Sequence, residues 1–188
     1  MKKLIMIGFT ALMFAVSASF SSVRAGGVYE GLAPGKSVLG VKLGLSNTVG
    51  ANVTYDYALA RVWKGTFTIG GQIGYMWDGW NESHNGTKWA YNSNMLDFKV
   101  RTTYRLNVVV PEWEVYAGLG LGGGVNLKDS KVKDSGVKVK AHSNYGFFSG
   151  AFILGTSYNF TQNIGVNLEF DFGNWEQAWV NLGVNFKF

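Results

Sequence analysis

The C-terminal segment, residues 178–188, alternates apolar with polar or small side chains and ends on an aromatic residue. A period of two residues predicts a β-strand with one apolar and one polar face. In water, an apolar strand at a sheet edge invites aggregation, whereas in a membrane it is stable if the sheet closes into a barrel. The segment therefore limits the chain to folds that close or cover a β-sheet. Its apolar positions are Val180, Leu182, Val184, Phe186 and Phe188.

The same alternation recurs in seven earlier segments, whose apolar positions begin at Leu39, Ala51, Phe67, Leu96, Val115, Phe148 and Ile164. Eight segments of roughly 8–14 residues predict an all-β fold, an eight-stranded antiparallel up-and-down transmembrane β-barrel over residues 37–188. A soluble β-sandwich has the same period. The barrel is favoured because the polar faces carry charges in mid-strand and because aromatic side chains lie at strand ends, as a lipid–water interface requires. These aromatics are Tyr55, Tyr57, Tyr75, Trp77, Tyr104, Trp113, Tyr158, Phe172 and Phe188.

The N-terminus has the pattern of a secretory signal. Two lysines precede an almost wholly apolar run over residues 4–18, and Ala25 ends a small-residue cleavage motif. The apolar run is too short to predict a membrane helix. We therefore expect residues 1–25 to be removed and residues 26–36 to form a short periplasmic segment before the barrel.

Composition excludes several classes of protein. The net charge of +5 falls by three, to +2, when the basic residues Lys2, Lys3 and Arg24 leave with the signal, so nucleic-acid binding has little support. The chain has no cysteine, which rules out disulfides and acylation of a thiol. With 26 glycines and 15% aromatic residues it is too aromatic for a disordered chain.

The predicted connections fall into two sets. Short connections are typical of the periplasmic end of an outer-membrane barrel and long loops of the outer end. With both termini periplasmic, this asymmetry places every long loop outside. The short connections are residues 59–64, 107–112 and 159–163, and the long ones are residues 78–94 and 128–142.

Charged residues on the polar parity are predicted to line the lumen. An eight-stranded barrel is just wide enough inside for side chains to fill it, and confined charges must pair. We therefore predict a filled lumen with balanced charge, in which glycines of the fifth strand lie beside Lys99, Arg101 and Arg105 of the fourth. The alternative is a narrow porin-like channel, selective for ions or small solutes. The predicted lumen charge network is Lys42, Asp56, Asp97, Lys99, Arg101, Arg105, Glu114, Glu169, Asp171 and Lys187.

The long loops contain the candidate surface-binding residues. Trp80, Trp89 and Tyr91 can stack on sugars or anchor a protein partner, or they can simply pack at the headgroup level. Residues 128–140 predict a hairpin with a lysine-rich face that binds an anionic glycan, lipopolysaccharide phosphate or protein; the alternative is that lysine only discourages edge aggregation. Its lysines are Lys131, Lys133, Lys138 and Lys140.

Catalysis has weak support in the sequence. The two histidines, His84 and His142, both fall in the long loops. His142 beside Ser143 raises the alternative of a lipid A-modifying enzyme, but neighbouring residues of a strand point to opposite faces. We therefore predict no catalytic residues, no cofactor and no metal site.

Two motifs carry a family resemblance. The tail residues Asn181, Gly183, Phe186 and Phe188 resemble the C-terminal signal by which outer-membrane barrels are recognised for insertion. The glycine-rich run at 115–122 is similar to the outer membrane protein β-barrel domain family, the porin-like group with the eight-stranded architecture of OmpX and the OmpA membrane domain. The resemblance implies a Gram-negative outer-membrane location and contact with lipopolysaccharide and the barrel-insertion machinery. Its implied role is structural or interactive, through the outer loops.

Overall fold

The computed structural model describes residues 31–45, 49–84, 87–108, 110–132, 140–173 and 179–188. These residues form one closed antiparallel barrel in which each strand pairs with its neighbours in the sequence and the last pairs with the first. The predicted eight-stranded fold is therefore confirmed. The strands are β1 Ser37–Leu45, β2 Val49–Val62, β3 Gly65–His84, β4 Thr87–Asn107, β5 Trp113–Val132, β6 Lys140–Asn159, β7 Ile164–Gly173 and β8 Trp179–Lys187.

The C-terminal strand closes the barrel against β1. The register runs from Val38 opposite Lys187 to Leu45 opposite Val180. A backbone hydrogen bond of 2.8 Å from Ser37 to the carbonyl oxygen of Phe188 extends this pairing to the last residue. Closure leaves no unpaired edge along this seam, as the tail pattern requires.

The barrel is polar inside and apolar outside. Along β2, Asn52, Thr54 and Asp56 are buried, whereas the intervening Val53 and Tyr55 are each 45% exposed. The same inversion holds around the wall, and the outward side chains form an apolar band. This band includes Val41, Ile69, Ile73, Val100, Leu119, Leu121, Phe152 and Leu182.

Four strands are much longer than expected. β3 to β6 have 20, 21, 20 and 20 residues, whereas β1, β7 and β8 have 9 or 10. Pairing of β3 with β2 stops at Trp77, and pairing of β6 with β7 stops at Ala151. Beyond those points β3 to β6 continue as a projecting four-stranded sheet. We call this end of the barrel the hairpin end and the opposite end the turn end.

The prediction of a long loop over residues 78–94 is wrong. β3 and β4 remain paired as far as His84 opposite Thr87, so these residues are the arms of a β-hairpin. Cross-strand side-chain pairs stabilise the ladder despite the asparagine, serine and glycine content that favours a loop. The hairpin predicted over residues 128–140 is confirmed in its arms, which pair as far as Lys131 opposite Lys140. Residues 133–139, which include the predicted turn at 134–136, lie outside the described residues.

The turn end carries the short connections that the sequence predicts. Two residues join β2 to β3, and four join β6 to β7. Both the start of β1 and the end of β8 lie at this end. Among the residues described, there is no helix with the length and apolar character needed to cross a membrane.

Candidate functional site

All ten charged residues assigned to the lumen by parity are buried, none more than 8% exposed. They come from β1, β2, β4, β5, β7 and β8, so the barrel brings together groups far apart in the sequence. Five are basic and five acidic, which gives the lumen no net formal charge. Buried charges are tolerated only when they are paired and hydrogen-bonded, so the pairing decides what the lumen can do.

Glu169 of β7 is the centre of the network. Its carboxylate accepts from Lys42 Nζ at 2.6 Å and from Arg101 Nη2 at 2.7 Å and Nη1 at 3.1 Å. The Tyr116 hydroxyl donates to the same carboxylate at 2.9 Å. Because β1 and β4 lie on different sides of β7 around the barrel, Glu169 forms ion pairs with strands on both of its sides. A bidentate guanidinium contact of this kind is among the strongest polar contacts in proteins.

The network continues from the centre to the turn end. Asp56 lies 3.1 Å from Arg101 Nε, in an ion-pair rather than a hydrogen-bond orientation, and accepts from Arg105 Nη2 at 2.7 Å. Glu114 follows, with Arg105 Nη1 at 3.6 Å and Lys187 Nζ at 2.9 Å. This series of alternating acidic and basic side chains therefore runs from the middle of the barrel to Lys187 of β8 at the turn end.

A second group of polar residues occupies the lumen toward the hairpin end. Lys99 Nζ lies 2.6 Å from Asp97 Oδ2. Gln72 donates from Nε2 to Asp171 at 3.3 Å and accepts from Arg101 at 3.1 Å, so its amide joins this group to the central network. The cavity between these side chains is only about 20 Å³, room for one water molecule.

The predicted pairing of long with small side chains holds at two of three positions. Lys99 lies opposite Gly122, and Arg101 lies opposite Gly120. The prediction for Arg105 is wrong, since its partner is Tyr116, whose ring lies 4.5 Å from the guanidinium carbon. The arginine gains a cation–π contact that glycine cannot supply.

The alternation of the strands predicted the charged residues of the lumen, but the prediction did not include the neutral residues that complete the network. Gln72, Tyr116 and Asn167 all take part, the last by donating to the tyrosine hydroxyl at 3.3 Å. Each lies on the inward-facing parity of its strand, so the alternation contained the necessary signal. Within the described ranges, no group of three or more acidic, histidine or cysteine side chains is arranged to hold a metal ion.

The aromatic residues of the β3–β4 hairpin contact one another. Trp80 lies directly opposite Tyr91, and their rings stack at 5.1 Å with an interplanar angle of 14°. Trp89 stacks on the same tyrosine at 6.4 Å and 21°. Cross-strand aromatic pairs of this kind stabilise a hairpin. A sugar-stacking role for these rings stays a prediction.

The β5–β6 hairpin places two of the candidate lysines opposite each other, Lys131 and Lys140. Lys133 and Lys138 lie outside the described residues. Two residues closer to the barrel along each strand, His142 contacts Asp129, and both of these side chains are exposed. Ser143 instead lies opposite Lys128, so the strand places it on the other face from His142.

The predicted insertion signal is divided between the two faces of β8. Asn181 is fully buried and accepts from Asn52 at 2.7 Å, and Gly183 leaves room for the Lys42 side chain, which lies 2.7 Å from the place of a Cβ. Phe188 points outward at the turn end and is 58% exposed. The recognition of these residues by insertion machinery stays a prediction.

Comparisons with known proteins agree with this architecture. The Ail protein of Yersinia pestis has a TM-score of 0.55 and 15% identity over 83% of this chain and 100% of its own. The complex of Ail with the heparin analogue sucrose octasulfate gives 0.51 and 14% over the same shares. A de novo designed transmembrane β-barrel gives 0.51 and 17% over 84% of this chain and 99% of its own. These identities support the fold alone, and a search of curated proteins gave no match.

Family membership rests on the sequence itself. Residues 4–188 match the outer membrane protein beta-barrel domain. This match covers nearly the whole chain, including the strands that form the closed barrel. The chain therefore belongs to the outer membrane protein beta-barrel domain family and is a protein of the bacterial outer membrane.

Proposed function

We propose that this protein is a surface-interaction barrel, closed in its lumen, whose projecting hairpins bind an anionic glycan. The observation that carries the proposal is the sheet formed by β3 to β6 beyond Trp77 and Ala151. A sheet that continues past the end of its neighbours contributes nothing to barrel closure. Residues that leave a scaffold in this way more often serve recognition than stability.

The orientation of the barrel follows from its asymmetry. We place the turn end, with both ends of the strand ladder, in the periplasm and the hairpin end outside the cell. Outer-membrane barrels as a class have short periplasmic turns and longer outer segments. In this orientation the tail residues Phe186 and Phe188 lie at the periplasmic rim, where insertion machinery would meet them.

An anionic partner fits the charge of the β5–β6 hairpin. Lys131 and Lys140 are direct cross-strand partners, and like charges directly opposite each other destabilise a β-ladder. A sulfate or phosphate group bound by both would relieve that repulsion. The sequence continues the pattern with Lys133 and Lys138. The structural relative Ail has been crystallised with the heparin analogue sucrose octasulfate, which supports an anionic glycan as the partner proposed here.

The proposal includes no catalytic step. His142 has an acidic partner in Asp129, but the adjacent Ser143 lies on the opposite face of β6. A serine nucleophile needs its histidine within hydrogen-bond reach. Lipid A modification is therefore not part of the function proposed here.

Binding to immobilised heparin is expected to weaken as salt concentration rises, because contacts between exposed charges are screened. Replacing Lys131 and Lys140 together by glutamine should reduce the affinity about tenfold, at roughly 0.7 kcal/mol for each lysine contact. The matched control replaces Lys36 and Lys64, at the turn end, by glutamine and leaves affinity unchanged. Salt-independent binding, or an equal loss in the control, would refute the lysine site.

A further inference from the structure

The chain before β1 folds back across the turn end of the barrel. Residues 31–36, which we call the strap, enter β1 through a reversal at Pro34 and Gly35. Lys36 donates to the carbonyl oxygen of Ala33 at 3.2 Å, and Gly35 has a φ of 85°. Proline second and a left-handed glycine third are the signature of a type II turn. The turn directs the preceding residues back toward the barrel mouth.

The strap contacts three consecutive strands of the barrel, β2, β3 and β4, at their turn-end edges. The amide and carbonyl of Ala58 in β2 each bond to the strap backbone at 2.9 Å. Thr66 of β3 donates to the carbonyl oxygen of Leu32 at 2.6 Å. Gly31 lies against Asn107 at the end of β4, whose Cγ is 2.9 Å from the place of a Cβ. The strap therefore reaches from the start of β1 to the end of β4, three strands away around the barrel.

Two depressions in the turn end lie on either side of the strap. One, of about 500 Å³, is bounded by the connections β2–β3 and β4–β5. The other, of about 400 Å³, is bounded by the β6–β7 connection and the end of β8. Gly31 lines both, which is the position expected of a segment that divides the mouth in two.

Leu32 is the part of the strap that enters the barrel. It is 4% exposed and packs with Val38 and Ala58. Val38 lies opposite Asp56, and Thr66, which holds the Leu32 carbonyl, lies opposite Arg105. The Leu32 side chain therefore lies between the turn end and the ion pair of Arg105 and Asp56, whose N–O distance is 2.7 Å.

We infer that the strap is an apolar seal that keeps water from the Arg105–Asp56 pair at the turn end of the lumen. It acts on the Arg105–Asp56 part of the charge network, which is strong only while water is excluded. The seal is a part of the barrel additional to its strands and separate from the hairpin binding surface. If the seal opens, water enters the turn-end half of the lumen, while the hairpin end stays closed.

Thiol labelling tests the seal directly, because the chain has no cysteine of its own. The reporter is Thr68→Cys, a fully buried position two residues beyond Thr66 on β3. The full chain, refolded in detergent micelles, is treated with a charged methanethiosulfonate. Leu32→Asp should raise the labelling rate about tenfold or more, since burying a leucine is worth more than a tenfold change in an opening equilibrium.

Two controls keep the experiment specific to the seal. Ala33→Asp adds the same charge at the neighbouring, partly exposed position and should leave labelling slow. A second reporter, Ser93→Cys, lies buried toward the hairpin end and should label at the same rate with or without Leu32→Asp. If Leu32→Asp does not fold, Leu32→Ala is expected to act in the same direction. An unchanged rate at Thr68→Cys, or an equal rise at both reporters, would overturn the inference.

Discussion

Replacing Glu169 by alanine is expected to lower the free energy of unfolding by about 3–5 kcal/mol, the cost of removing one partner from a buried ion pair. The substitution leaves Lys42 and Arg101 buried without their shared carboxylate, and Tyr116 without its acceptor. Urea unfolding in lipid vesicles, followed by tryptophan fluorescence, measures the loss.

Two comparison variants identify the cause of that loss. Glu82→Ala removes an exposed carboxylate from the projecting hairpin and should change the free energy of unfolding by no more than about 0.5 kcal/mol. Glu169→Gln keeps the shape and some hydrogen bonds, so its loss should fall between the two. If Glu169→Ala were no more destabilising than Glu82→Ala, the central position of Glu169 would be wrong.

Gly122→Ala should destabilise the barrel by about 1–3 kcal/mol, because an added methyl group has no space on the inner face of β5. A Cβ at Gly122 would meet the carbonyl oxygen of Phe98 and lie 2.7 Å from the Cα of Lys99. Both atoms belong to the backbone of β4, which cannot give way as a flexible side chain can. The same unfolding titration measures the effect.

Gly120→Ala is the matched control two residues earlier on the same face of β5. There, the nearest atom to an added Cβ is Ile153 Cδ1 at 3.6 Å, an ordinary contact. The free energy of unfolding should stay the same or rise slightly, since alanine restricts the unfolded chain more than glycine does. Equal losses at the two positions would mean that glycine matters here for strand flexibility rather than for space.

The sequence predicted which residues face the lumen because strand alternation is a local property. Ten charges were assigned to the interior from parity alone, and all ten are buried. Their partners were not predictable in the same way. Glu169 of β7 meets Arg101 of β4, and that contact depends on how the strands are staggered around the closed barrel. Stagger is set by all eight strands together, so no single segment encodes it.

Two segments show where local patterns are insufficient. Residues 78–94 have loop-like composition, but the Trp80–Tyr91 pair continues the ladder of β3 and β4. The strap lacks alternation and is part of residues 26–36, predicted as a short periplasmic segment before the barrel. Its Pro34–Gly35 pair is a recognisable turn signal, although nothing local indicates that Leu32 enters the barrel.

Conductance of the purified full chain in planar lipid bilayers is the most direct test of a closed lumen. The charge network joins distant strands through Glu169, and Leu32 of the strap is buried at the turn end. We predict that membranes containing the inserted protein show no stable ion-selective openings in concentrated potassium chloride. Stable openings with a fixed conductance and a preference for cations or anions would contradict this prediction and identify the protein as a narrow channel.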